Sequence, residues 1–257
     1  MKMSKLPKEH RFLDLSDYGR PVARIIAKTL KNTSFTPIHV TISFIIAGLI
    51  AIICLLNQFY WGTLFFLILK SILDAADGEL ARLKNTPSYT GRYFDSVADI
   101  ILNLLILTTI WYVTDGSWFL TSLAFIGLQL QGTLYNYYHV ILRNKRQGDT
   151  TSRIFETDTP KAMKGETQKS VNFFFALYSL LYGIFDRVIY ALDRKADQSN
   201  SLPNWFMTAV STFGLGFQLL LIGCMLVLGL VNYIVPFFIG YSSFVFIFIM
   251  IRRIINR

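Results

Sequence analysis

Residues 74–99 read DAADGELARLKNTPSYTGRYFDSVAD. Asp74 and Asp77 close the apolar run that begins at Trp61, and Asp95 and Asp99 open the run from Ile100 to Val113. On a helix, positions i, i+3, i+4 and i+7 share a face. Asp74, Asp77, Gly78 and Ala81 have that spacing, and Gly91, Asp95 and Asp99 fall four apart. Two antiparallel helices joined across the link Leu83–Thr90 would therefore gather four carboxylates around one small space.

Such a cluster at the edge of a membrane span needs compensation. A single Asp at mid-helix costs about 2.5–3.5 kcal/mol to insert, and four together also repel one another. An all-oxygen donor set is relieved by a hard divalent cation, Mg2+, Mn2+ or Ca2+, rather than zinc. Gly78 and Ala81 would let a ligand approach the helix backbone, and Arg82 offers a fork for phosphate. One Asp at a helix end is ordinarily a solvated charge; four at this spacing, interleaved with small residues and an arginine, are poorly explained that way.

The stretch resembles the signature of the CDP-alcohol phosphotransferase (CDP-alcohol phosphatidyltransferase class I) family, D-x2-D-G-x2-A-R-x8-G-x3-D-x3-D. Asp74, Asp77, Gly78, Ala81, Arg82, Gly91, Asp95 and Asp99 fill its fixed positions with the right gaps. The resemblance implies that Asp74, Asp77, Asp95 and Asp99 hold Mg2+ or Mn2+, as two ions, and that Asp99 is the general base. It further implies that Gly78, Ala81 and Arg82 contact the CDP-alcohol, with Ser88 a further candidate in the link. Family members often open the first span with a Pro-Asn-x-Val/Leu-Thr-like segment. Here Pro37, Val40 and Thr41 match, so Pro37 and Thr41 join the substrate-binding candidates, while Ile38 stands where Asn is usual and His39 is a neighbour able to substitute.

Composition sets the class. Of 257 residues, 53% are hydrophobic and only 16% charged, and several apolar runs approach the ~20 residues that cross a bilayer. The expectation is an all-α, multi-pass membrane protein with about six transmembrane helices. Its domains are a cytoplasmic N-terminal segment, 1–36, and a transmembrane domain, 37–257. A net charge of +9 in this setting reads as positive-inside bias and contact with anionic lipid, not as nucleic-acid binding. Cys54 and Cys224 both lie in apolar runs, which argues against a disulfide framework or a thiolate metal site. The basic, polar first 35 residues do not read as a cleavable signal peptide.

Taken in order, residues 1–20 are polar and mobile in character. Val22, Ile25, Ile26, Thr29 and Leu30 then form one stripe with Arg20, Arg24, Lys28 and Lys31 away from it, predicting an amphipathic helix in the membrane plane. Spans are expected at about 37–56, 60–80, 94–113, 118–142, 205–230 and 231–250, the last two joined by a turn near Asn232 and Pro236. Lys70, one turn before Asp74, either pairs with the carboxylates or snorkels. The second half of the fourth span, with Gln129, Gln131, Tyr135, Asn136, Tyr137, Tyr138 and His139, is too polar to face lipid and is expected to line a hydrated pocket beside the carboxylates. The stretch 171–192 is apolar but interrupted by Asp186 and Arg187. Keeping it on the inner face leaves every Lys and Arg except Lys70 on that side, so a helix at the cytoplasmic face is expected there.

These readings, with the resemblance, imply an integral membrane enzyme of phospholipid synthesis acting at the cytoplasmic face of the inner or cell membrane. It would transfer a phosphatidyl group from a CDP-alcohol, with CDP-diacylglycerol favoured, to a hydroxyl acceptor, releasing CMP. A homodimer is implied by the same resemblance. Two alternatives stand: a CDP-linked aminoalcohol headgroup donating to diacylglycerol, and an ion or proton transporter. Transporters place their carboxylates near the bilayer midplane, whereas these lie at one boundary.

Overall fold

The computed structural model describes residues 12–146, 156, 158–199 and 202–256. Eleven α-helices run through them, and no strand occurs among these residues. They are α1 (Arg20–Leu30), α2 (Pro37–Leu56), α3 (Tyr60–Lys84), α4 (Tyr89–Thr114), α5 (Trp118–Lys145), α6 (Gln168–Leu181), α7 (Gly183–Leu192), α8 (Asn204–Val210), α9 (Leu215–Val227), α10 (Ile234–Tyr241) and α11 (Phe244–Ile255).

The boundaries follow from local chemistry. Thr36, Ser88, Ser117 and Thr167 each accept a backbone N–H at the start of α2, α4, α5 and α6. Helix α3 stops at Asn85, which takes up a left-handed conformation (φ 52°). The link 85–88 contains Pro87, and Ser88 caps α4. That reversal sets the ends of α3 and α4 side by side. The turn before the final helical segment lies at Gly229 (φ +74°), not at Asn232 and Pro236. Glycine reaches that conformation without a Cβ penalty, and Pro236 sits in the first turn of α10, where its missing N–H costs nothing.

Three helical segments, Pro37–Leu56, Tyr89–Thr114 and Val231–Ile255, are long and apolar enough to cross a membrane. Two bent pairs reach that standard when each pair is taken together: α6 with α7, bent by 55°, and residues 204–213 with α9, bent by 54°. The protein is an all-α membrane protein. Helices α3 and α5 have spanning length, but their polar residues make them less apolar than these segments. Those residues build the site and the polar seams of the bundle.

Helix α3 is the centre of the packing, in contact with α1, α2 and α9. One cluster joins α2, α3, α4, α5, α9 and α10 through Leu55, Leu67, Leu107, Leu128, Ile222 and Phe238. Helix α6 lies along α4, where Tyr93 meets Phe175 and Tyr178.

One expectation needs correction. Part of the N-terminal stretch, residues 12–18, is docked rather than mobile. Asp14 accepts from the Tyr135 hydroxyl (2.5 Å), and the Leu15 amide donates to Ser211 Oγ (2.9 Å). A Cβ on Gly216 would stand 2.0 Å from the Ser16 carbonyl oxygen, so glycine there lets the chain lie against α9. Helix α1 buries Ala23 and Ala27 against α3 and turns Val22 and Ile25 outward. The small alanines permit the close approach to α3, and the exposed Val22 and Ile25 belong to the stripe expected to meet the membrane.

Candidate active site

Helix α3 carries Asp74 and Asp77, and α4 carries Asp95 and Asp99. The reversal at 85–88 brings Asp74, Asp95 and Asp99 together, with one carboxylate oxygen from each within 4.8 Å of the others. Asp77 lies outside that trio. Its Oδ2 accepts from the Thr41 hydroxyl (2.7 Å), which also sits 3.2 Å from the Pro37 carbonyl. Pro37 and Thr41 therefore reach the acidic cluster through Asp77.

Lys70 supplies the local positive charge. Its ammonium is fully buried, pairs with Asp99, lies 3.9 Å from Asp74 Oδ2 and sits 4.9 Å from the centre of the Phe44 ring. Of the two sequence readings, pairing is the one found. One lysine cannot neutralise the set. Asp95 Oδ1 is buried without a hydrogen-bond partner, an arrangement that costs about 1–3 kcal/mol or more unless something satisfies it. A hard cation fits this oxygen-only donor set.

Helix α3 continues past the acids to Gly78, Glu79, Ala81 and Arg82. A Cβ on Gly78 would meet the Arg82 guanidinium at 3.5 Å, and one on Gly91 would meet only Ser88 Oγ and Cβ, at 3.5 and 3.6 Å. Both are ordinary contacts, so packing within the protein does not require glycine at either position. Glu79, an unassigned position between the signature residues, is a hub. It accepts from Arg20 (2.8 Å) and lies 3.5 Å from Arg82 and 3.6 Å from Arg24. It thereby ties α1 to α3 and orients three guanidinium groups at the same end as the acids. The i, i+3 spacing of Glu79 and Arg82 was the available sequence signal.

Ser88 has structural partners. Its hydroxyl donates to Glu166 Oε2 (2.8 Å) and accepts from the Gly91 amide (2.9 Å). Glu166 also accepts from the amides of Tyr89, Thr90 and Met163. This carboxylate holds the first turn of α4, where helix N-termini favour negative charge. Burial pushes its pKa up, but the Met163 and Thr90 amides and the Ser88 hydroxyl outweigh that and hold it below the usual glutamate value. His39 is likewise engaged: its Nδ1 accepts from the Thr36 amide in a capping box at the start of α2.

The polar half of α5 does less at the carboxylates than expected. Gln131 donates to Ser242 and accepts from Gln218. Tyr135 binds Asp14, Tyr138 donates to the Asp193 carboxylate, and His139 stacks on Tyr135. These groups stitch α5 to other elements. Asn136 and Tyr137 of that set line a cavity, with Thr133, Glu156, Tyr178 and Asp186.

Residues 35–212 match the CDP-alcohol phosphatidyltransferase family. The match starts just before α2, takes in both aspartate pairs and ends at the break before α9. No curated protein matches the chain significantly. The signature spacing, the helical reversal that unites its acids and a match across most of the sequence lead to one assignment: the chain belongs to the CDP-alcohol phosphatidyltransferase family, whose chemistry is transfer of a phosphatidyl group from a CDP-alcohol.

Proposed function

We propose that the protein transfers a phosphatidyl group from CDP-diacylglycerol to a small hydroxylated acceptor, releasing CMP, at the cytoplasmic face of the membrane. The observation that carries this reading is the convergence of Asp74, Asp95 and Asp99 within 4.8 Å beside a buried, unpartnered Asp95 oxygen. Asp74, Asp77, Asp95 and Asp99 would hold two Mg2+ or Mn2+ ions. When bound, these neutralise a diphosphate and polarise phosphorus.

The remaining steps belong to the chain's own residues. Gly78 and Ala81 leave the backbone of α3 open to the nucleotide, and Arg82 binds phosphate or nucleotide. Thr41 and Pro37 fix Asp77. Asp99 accepts the proton of the attacking hydroxyl. The acceptor oxygen bonds to the β-phosphorus, the bond from that phosphorus to the CMP oxygen breaks, and CMP leaves.

The links 57–59, 115–117 and 228–230 contain no Lys or Arg, which supports assigning them to the outer side and the acids to the inner side. On this reading, six units cross the membrane (α2, α3, α4, α5, α8–α9 and α10–α11), while α6–α7 stays at the inner face. Residues 1–36 form a cytoplasmic segment ahead of the transmembrane domain, and the homodimer implied by the resemblance is retained. A CDP-aminoalcohol donor acting on diacylglycerol is the second reading. The transporter alternative draws no support from the family match.

The test is metal-dependent CMP release by purified protein given CDP-diacylglycerol, with serine, glycerol phosphate, inositol or inositol phosphate added singly. Release with one acceptor, lost on EDTA treatment and in Asp99→Asn, is expected. No release and no CDP-diacylglycerol binding would reject this donor.

A further inference from the structure

The cavity between α5 and the bent α6–α7 pair has one sign of charge on its walls. Glu156 and Asp186 line it, and no Lys or Arg does among the described residues. Arg92 pairs with Glu156 from outside the lining. Asp186 accepts a hydrogen bond from the Tyr178 hydroxyl (3.0 Å), and no ion pair involves it among the described residues. Tyr137 and Tyr178 add aromatic walls, and Asn136 adds an amide. An independent sign of a missing ligand comes from Thr133: it lines the same cavity, is 7% exposed, and its Oγ1 has no hydrogen-bond partner. A buried hydroxyl in that state carries a desolvation cost that a bound polar group would remove.

A phosphate-bearing alcohol would meet the Asp186 carboxylate here, with the nearby Arg92 guanidinium already engaged by Glu156. An ammonium would meet a carboxylate between two tyrosines, groups of the kind that bind alkylammonium ions. Two stacked rings lead from the cavity toward the acidic cluster: Tyr178, which lines it, stacks on Tyr182 (5.4 Å between centroids), and Tyr182 is within electrostatic reach of Asp99 and Asp95.

We infer that this cavity binds the ammonium end of an amino alcohol, with Asp186 as its counter-ion and Thr133 as a hydrogen-bond partner. The identification of that molecule as the transferase substrate rests on the proposed function. The amino alcohol arrives either as the free acceptor or already attached to CDP, and the cavity chemistry is the same for both.

Calorimetric titration of the purified protein with ethanolamine, glycerol and glycerol phosphate tests the cavity without turnover. Ethanolamine should bind saturably, and glycerol and glycerol phosphate at least tenfold more weakly. Asp186→Asn should weaken ethanolamine at least tenfold. Thr133→Val removes a hydroxyl with no partner in the protein, so it should keep the wild-type melting temperature and weaken ethanolamine severalfold. Absence of ethanolamine binding, equal binding in both variants, or preference for glycerol phosphate overturns the inference. Two CMP-release arms, CDP-diacylglycerol with ethanolamine and CDP-ethanolamine with diacylglycerol, separate the two sources. Ethanolamine binding sensitive to both variants, with CMP release from neither arm nor from any other acceptor, would leave the cavity assignment standing and reject the proposed function.

Discussion

Lys70 and Asp99 form an ion pair inside the helix bundle, and the lysine ammonium is fully buried. The lysine is also close to Asp74, so one cation serves two of the three converging acids. A buried pair broken by loss of one partner typically costs about 3–5 kcal/mol. Lys70→Met should therefore lower the melting temperature strongly in EDTA. A divalent ion can replace part of the lost positive charge, so Mg2+ or Mn2+ should raise the melting temperature more in Lys70→Met than in wild type. Thermal unfolding with and without metal measures this; equal gains in both proteins would show that Lys70 does not share the acids' charge compensation.

Arg82 lies at the same end of α3 as the acids, and Glu79 engages Arg20 and Arg24 as well as Arg82. Loss of Arg82 leaves that carboxylate with two other arginines, so the fold should tolerate it. A charge-assisted hydrogen bond contributes about 1.5–3 kcal/mol. Arg82→Ala should therefore weaken CDP-diacylglycerol binding by roughly ten- to hundredfold with little change in melting temperature. Direct binding and thermal unfolding on the same preparation separate the two effects. A large loss of stability with unchanged affinity would make Arg82 structural.

The parts legible in the sequence were those governed by local spacing. Asp74, Asp95 and Asp99 could be brought together on paper because helix periodicity and one short reversal suffice, and Lys70 lay one turn from Asp74. Other features depend on partners far along the chain. Nothing near Tyr135 or Tyr138 announces Asp14 or Asp193, so the polar half of α5 looked like pocket lining when much of it is structural hydrogen bonding. The docking of Ser16 required Gly216, some 200 residues later. The break between α6 and α7 at Tyr182 was likewise hidden, since apolar composition continues through it.

Glu166 gives a pH dependence with a defined sign. Its folded pKa is held below the unfolded value, about 4.3. The carboxylate's contribution is therefore complete above that unfolded value and is lost as pH falls through the lower folded one. Glu166→Gln should cost about 1 kcal/mol near neutral pH, as for loss of a helix cap. The gap in melting temperature between wild type and Glu166→Gln should be constant from pH 8 to about 5 and narrow below about 4.3. A gap that widens on acidification would contradict the assigned role at the start of α4.

Asp193 and Arg252 make the strongest tie between the end of α7 and α11. Asp193 is 1% exposed and Arg252 4%. The guanidinium pairs with both carboxylate oxygens, and the Tyr138 hydroxyl donates to the same carboxylate (2.7 Å). Arg252→Met would leave that carboxylate buried, with Tyr138 as its remaining close donor and the more exposed Arg253 3.6 Å away. The expected loss is about 3–5 kcal/mol. The paired change Asp193→Leu with Arg252→Met removes both charges and should recover part of that stability, because the cost of a lone buried carboxylate disappears. Thermal unfolding of the two single variants, the double variant and wild type in one detergent gives the coupling. Additive losses would show that the two groups are not energetically linked, despite their contact.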